Sequence, residues 1–162
     1  MATALDELEI KEFLEHEPTV IFTTLGRDGR PLSLPMWYVY HNGHIYISTG
    51  GESQKVKNVR RDPRVCVVVE TGEKISELKA VVIQGKCEIV ENEDETARVR
   101  ELFTAKYAAA RGQQAAQPQR TTQPQQPQPS RALLKIIPDP PPAKRRARGE
   151  QAISWDYAKI RR

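Results

Sequence analysis

At 162 residues the chain suits one domain, and its hydrophobic share of 38 % is low only because a polar stretch in the last third dilutes otherwise normal core segments. Lys and Arg number 25 against 21 Asp and Glu, a net charge of +4 with a pI near 9.1, which permits an anionic ligand but is too balanced to demand nucleic acid. No apolar run approaches the roughly 18 residues of a membrane span, the opening MATALDELEIKEF is acidic without an apolar signal core, and Cys66 and Cys87 lack CxxC or Cys/His spacing. The expectation is a cytoplasmic protein with reduced thiols.

In chain order, an amphipathic helix is predicted from about Leu5 to His16, with Thr3 as cap and Leu5, Leu8, Phe13 and Leu14 on its apolar face. Thr19 to Leu25 reads as a strand and Gly26 to Gly29 as a turn. Pro31 to Tyr40 reads as a second strand whose Pro31 and Pro35 suggest an edge or bulge. Asn42-Gly43 suits a tight primed turn, so Pro31–Tyr40 is expected to pair antiparallel with His44–Thr49. Arg64–Glu70 and Leu78–Glu91 are rich in β-branched residues and read as two further strands. Asn92 begins a helix with Glu95 as capping-box partner and Val99, Leu102, Phe103 and Tyr107 inward, fraying beyond Arg111. From Gln113 to Pro129, twelve of seventeen residues are Gln or Pro, too few apolar groups to offset ordering entropy. Order resumes at Arg131–Ile137, lapses through a Pro/Arg-rich loop at 138–150, and ends in a strand at Gln151–Tyr157. The organisation is a core over 1–112, a disordered insertion at 113–130, and C-terminal strands over 131–162 completing the core. Short antiparallel strands with one helix in front and one near the end point to a mainly β, closed or partly open barrel with flanking helices.

The stretch with chemical meaning is IYISTGGESQKVKNVRRDP, Ile45 to Pro63. Ile45, Ile47 and Thr49 alternate with Tyr46 and Ser48 as in a strand, and Gly50-Gly51 breaks it. Ser53 is a plausible N-cap for a short helix that Asp62-Pro63 closes. Free amides at a helix start favour a phosphate, and Lys55 in the first turn leans back toward it. Lys57 points elsewhere around the helix. The competing reading is a solvated basic helix. The three histidines, His16, His41 and His44, form no nucleophile triad and no metal set, and the last two flank the hairpin turn.

The segment DGRPLSLPMWYVYHNGHIYISTGGESQKVKNVRRDPRVCVVVE, followed by VVIQGKCEIV, resembles the pyridoxamine-phosphate-oxidase-like split-barrel family. The likeness covers Leu8 to about Tyr107 and resumes in LLKIIP and ISWDYAK. Within the family the chain is most similar to the branch of flavin- and deazaflavin-dependent oxidoreductases that includes users of coenzyme F420. The resemblance implies an antiparallel Greek-key split barrel and a homodimer with each cofactor at the interface. It implies that Ser48, Thr49, Ser53, Gln54 and Lys55 bind phosphate with Lys57 and Asn58 adjoining, and that Pro35, Met36 and Trp37 approach the ring. Trp155 would sit near the dimer interface. Two departures argue against vitamin B6 chemistry: Leu34 stands where the oxidases place an Arg, and the chain ends YAKIRR in place of their Arg/His substrate motif and terminal Ala-Pro.

The function implied is hydride transfer from a reduced deazaflavin to a small organic acceptor such as an enone, quinone or tetrapyrrole. Flavin mononucleotide (FMN) is the alternative cofactor. The cofactor carries the difficult chemistry, so no catalytic side chain is required, and a Tyr such as Tyr38 or water would supply any proton. Arg60, Arg61, Arg64 and the run Lys144, Arg145, Arg146 and Arg148 are candidates for the acidic deazaflavin tail by charge alone, against a merely solubilising loop. Trp37 has a competing role as a core aromatic. Two other classes stay open: a non-catalytic carrier of a cofactor or haem-like ligand, and nucleic-acid binding through Arg60, Arg61 and the basic run with Trp37 or Tyr46 stacking. Neither a membrane nor a nucleic acid is the expected partner.

Overall fold

A computed structural model describes residues 5–115, 130–140 and 153–156. Its elements are α1 (Glu7–His16), β1 (Thr19–Leu25), β2 (Pro31–Trp37), β3 (Val39–His41), β4 (His44–Gly50), α2 (Gln54–Arg61), β5 (Arg64–Thr71), β6 (Lys79–Ile89), α3 (Glu93–Ala115), β7 (Arg131–Pro138) and β8 (Ile153–Asp156), with a 3-10 turn at Ile75–Glu77. The strands form one antiparallel sheet in the order β2-β1-β5-β6-β7-β4-β3, with β8 added beside β6. The sheet curls until β2 touches β4, giving a split barrel.

Alternation builds the core. On β4, Ile45, Ile47 and Thr49 are buried, and their neighbours on the curled sheet are Val20 and Phe22 of β1, Val65, Val67 and Val69 of β5, and Leu134 and Ile136 of β7. Burying each such side chain contributes about 1.5–3 kcal/mol. Tyr46 and Leu133 lie on the opposite face, where they meet Val99, Phe103 and Tyr107 of α3 in a second cluster. α1 contributes Ile10, Phe13 and Leu14 to the barrel core, and α2 contributes Val56 and Val59.

Several local expectations change. α1 starts at Glu7, because Asp6 and Glu9 form a reciprocal capping box; Thr3 lies outside the described residues and before the helix start. Ile10 takes the buried position expected of Leu8, which is 64 % exposed. Asn92 caps α3, its Oδ1 accepting from the Glu95 N–H at 2.8 Å. The Glu95 side chain does not complete the box. It accepts from the Tyr46 hydroxyl at 2.7 Å and from Lys135 Nζ at 2.9 Å, pinning the helix start to β4 and β7. The Asn42-Gly43 turn forms with both residues at positive φ, 49° and 78°, and pairs β3 with β4 as expected. The Gln/Pro-rich segment lies almost entirely outside the described residues, as does the basic run at 144–148; β8 falls within the predicted terminal strand.

The main departure is at Tyr38, where the expected strand Pro31–Tyr40 divides. β2 pairs with β1 along its length, from Thr19 opposite Trp37 to Leu25 opposite Pro31, and only β3 joins the hairpin with β4. Tyr38 sits between the ladders, wholly buried, and its backbone is satisfied by α3. The Tyr38 N–H donates to the Tyr107 hydroxyl oxygen at 2.9 Å, and the single proton of that hydroxyl faces the carbonyls of Tyr38 and Pro18, each at 2.7 Å. The Tyr38 hydroxyl donates to the Leu14 carbonyl of α1 at 2.7 Å. Tyr107 leaves helical geometry to do this, at φ −111° and ψ 17°.

Next to it, Lys106 Nζ is buried with no hydrogen-bond partner among the described residues and lies 4.0 Å above the Tyr38 ring. Burial pulls this amine down to about 8, partly opposed by Glu17 and Glu15. The folded value is below the ordinary 10.5, so from pH 8 upward the unfolded chain binds more protons than the folded one and stability rises with pH. A Lys106→Met variant is expected to be more stable than wild type at pH 7, and the gap should close between pH 8 and 10 in thermal melts; a constant gap contradicts this. Tyr107→Phe leaves the buried Tyr38 N–H unpaired and should cost about 1–3 kcal/mol in urea unfolding.

Candidate flavin-phosphate site

Two features meet at the end of β4. The first is the turn into α2. Gly51 allows the chain to pass Ser130 closely: its N–H donates to the Ser130 carbonyl at 2.6 Å, and a Cβ there would come within 2.9 Å of the same oxygen. Ser53 holds the N-cap position of α2 but its side chain makes no capping bond. Its Oγ is buried and has no hydrogen-bond partner among the described residues. A buried orphan hydroxyl is costly unless a ligand fills the gap. Half-buried Lys55 follows in the first turn, and α2 has no acidic residue there. An orphan hydroxyl, unpaired helix amides and a lysine suit a phosphate.

The second feature is an open cleft of about 620 Å3 between α3, α2 and the outer face of β4 and β7. Trp37, at the end of β2, forms one wall. Its indole stacks on Tyr107, with ring centroids 4.3 Å apart and planes 3° from parallel, and it stays 36 % exposed. Offset aromatic contact fixes the indole and leaves its remaining surface for a planar ligand. Ser48 lines the cleft, and its Oγ accepts from Arg131 Nε at 3.2 Å.

The other residues named from the sequence are distributed around these features. Pro35 is exposed opposite Ile21, and Met36 is half-buried against the barrel core. Thr49 is buried on the barrel side of β4. Gln54 Nε2 donates to Asn58 Oδ1 at 2.9 Å, and Asn58, itself buried, donates to Thr24 Oγ1 at 3.0 Å and accepts from Arg61. Asn58 thus ties α2 to β1. Lys57 is exposed. Of the residues assigned to ring and phosphate, only Trp37 and Ser48 line the cleft itself.

Sequence reading missed Arg100 and Arg131, which join Arg60 along the cleft. A signal for Arg100 was present: Thr96, Arg100 and Thr104 recur at i, i+4 and i+8, one stripe of α3, and all three line the cleft. Arg131 had none, because its placement follows from pairing opposite Gly50 across the Gln/Pro segment. Among the described residues no group of His, Cys, Asp or Glu could hold a metal. Burial pushes the Cys87 thiol up to about 12, so it is not a nucleophile.

The family model described as pyridoxamine 5'-phosphate oxidase matches residues 7–139. The chain belongs to that family. No curated protein matches it. A conserved hypothetical protein of Mycobacterium tuberculosis, Rv2991, is similar at 29 % identity and TM-score 0.70, covering 98 % of this chain and 89 % of its own. An FAD-binding protein of Mesorhizobium loti is similar in fold at 18 % identity and TM-score 0.64, with 86 % and 92 % coverage. HutZ, the haem storage protein of Vibrio cholerae, shares the fold at 17 % identity and TM-score 0.61, with 82 % and 89 % coverage. The antiparallel split barrel expected from the sequence is therefore this family's fold. Among the described residues no helix is long and apolar enough to cross a membrane.

Because the Ser53 hydroxyl caps nothing, Ser53→Ala should leave the melting temperature of the ligand-free protein unchanged or raised. A capping serine would instead cost about 0.5–2 kcal/mol. Thermal denaturation without ligand separates the two.

Proposed function

We propose that this protein is a homodimeric oxidoreductase that binds a phosphate-bearing deazaflavin, coenzyme F420, and serves hydride transfer to a small organic acceptor such as an enone, quinone or tetrapyrrole. The observation that carries the reading is the buried, unpartnered Ser53 Oγ at the start of α2 beside Lys55. In this reading Ser53, Lys55 and the first amides of α2 hold the phosphate. Pro35 to Trp37 border the ring, with the indole braced from behind by Tyr107. Ser48 and Thr49 shape the end of β4, Gln54 and Asn58 fix the helix to β1, and Lys57 adds charge at its rim. When bound, the cofactor supplies hydride transfer, and the chain supplies position, anion binding and exclusion of water.

FMN is the second reading, favoured by the likeness to the FAD-binding protein of M. loti. A non-catalytic haem carrier is the third, resting on the likeness in fold to HutZ. It is the weakest, since no His lines the cleft.

Protein from a host lacking F420 should bind that coenzyme tightly and FMN weakly in fluorescence titrations. A yellow, FMN-loaded preparation would move the assignment to a flavoprotein, and binding of neither would overturn the proposal. Lys55→Ala should weaken cofactor affinity roughly ten- to a hundredfold, the worth of one charge-assisted contact of about 1.5–3 kcal/mol. An unchanged dissociation constant would remove Lys55 from the site.

A further inference from the structure

The cleft holds more positive charge than a phosphate at α2 accounts for. Arg60 of α2, Arg100 of α3 and Arg131 of β7 come from separate elements to line it, and among the described residues none that lines it is acidic. Their charges are poorly matched within the chain. Arg100 has no hydrogen bond or ion pair from its guanidinium among the described residues; only its backbone carbonyl is used, by Thr104. Arg60 reaches Glu52 at 3.9 Å, with both side chains more than half exposed, a pairing worth little. Among the described residues Arg131 is anchored by neutral acceptors alone, Ser48 Oγ at 3.2 Å and the Ser48 carbonyl at 3.4 Å. The nearby carboxylate of Glu95 is taken by Tyr46 and Lys135. Like charges gathered in one cleft repel each other unless an anion joins them.

The surroundings narrow the ligand. Phe103 and Leu133 supply apolar lining, Trp37 a flat wall, and Thr96 and Ser130 hydroxyls, within a volume typical of a small-molecule site. Ser53 and Lys55 are not among the residues lining the cleft, so its cations are Arg60, Arg100 and Arg131 rather than the lysine at the start of α2. Guanidinium forks bind planar carboxylates in pairs of hydrogen bonds.

We propose that the cleft is a second anion subsite, in which Arg60, Arg100 and Arg131 hold an organic acid with an apolar or aromatic body. The acid is either a free acceptor molecule or an acidic extension of the cofactor, and the two sources are separable. The subsite does not rest on the identity of the cofactor.

The test uses the full-length protein and a matched pair of fluorescent probes, the anionic 8-anilinonaphthalene-1-sulfonate and the neutral N-phenyl-1-naphthylamine. In Arg60→Gln/Arg100→Gln, affinity for the anionic probe should fall at least roughly tenfold, while the neutral probe binds as before and the melting temperature is unchanged. Anionic-probe affinity equal to wild type would overturn the subsite. With FMN present, displacement of the anionic probe together with loss of FMN affinity in the double variant would assign the arginines to the phosphate and also overturn the subsite, whereas FMN bound equally by wild type and double variant supports it, any competition then coming from the ring against Trp37. Displacement by F420 but not by FMN identifies the cofactor's acidic extension as the source, and displacement by neither identifies a free acid. Failure of the cofactor proposal appears separately, as the absence of F420 and FMN binding by wild type.

Discussion

The arrangement depends on the Tyr107 hydroxyl. One phenol oxygen satisfies the backbone of Tyr38 where two ladders part, and faces the Pro18 carbonyl that precedes β1. A strand running unbroken from Pro31 to Tyr40 would commit its whole length either to β1 or to β4. The break lets β2 follow β1 while β3 follows β4, which is how one sheet curls until its distant strands meet. A buried break of this kind leaves polar backbone groups that must find partners. Here the partner comes from α3, so the contact that docks the helix sits at the point where the two ladders part. The same residue aims its ring at Trp37, so the wall of the cleft is set by the interaction that closes the fold.

The second constraint is how β4 uses its two faces. Ile45, Ile47 and Thr49 feed the barrel core, while Tyr46 and Ser48 serve the outer face, Tyr46 anchoring α3 through Glu95 and Ser48 receiving Arg131. Strand periodicity therefore delivers a packed core on one side and, on the other, a face that docks α3 and lines the cleft. Gly51 then brings the chain close to Ser130, joining the end of β4 to the start of β7 at the point where α2 begins. The first turn of α2, with Lys55, and the cleft, with Arg60, Arg100 and Arg131, thus adjoin with different cations.

Much of this was legible in the sequence. Alternation in Thr19–Leu25, Arg64–Glu70 and the residues after Leu78, the Asn42-Gly43 turn, and the glycine break before Ser53 are local signals, and the strands and α2 lie where they indicate. The departures have non-local causes. Tyr38 carries every sign of a strand residue and is taken out of the ladder by a tyrosine sixty-nine positions away. Glu95 has the spacing of a capping box, but a tyrosine and a lysine on the sheet compete for its carboxylate and win. Ser53 has the identity of a cap and withholds its hydroxyl. That last failure of a local rule is informative, since such failures gather at functional sites. Arg131 reaches the cleft only because β7 pairs with β4, a contact that no local pattern encodes.

Recognition of a phosphate at the start of α2 underlies the proposed cofactor binding. It is tested by titrating wild-type and Lys55→Ala protein with FMN and riboflavin, and with the deazaflavin in its phosphorylated and phosphate-free forms, at fixed ionic strength; the Lys55→Ala arm separates the phosphate from the acidic tail that the phosphate-free deazaflavin also lacks. The phosphorylated member of the pair that binds should be preferred by roughly ten- to a hundredfold in wild type and by less in Lys55→Ala, as a charge-assisted site requires. Equal affinity for phosphorylated and phosphate-free forms would contradict it.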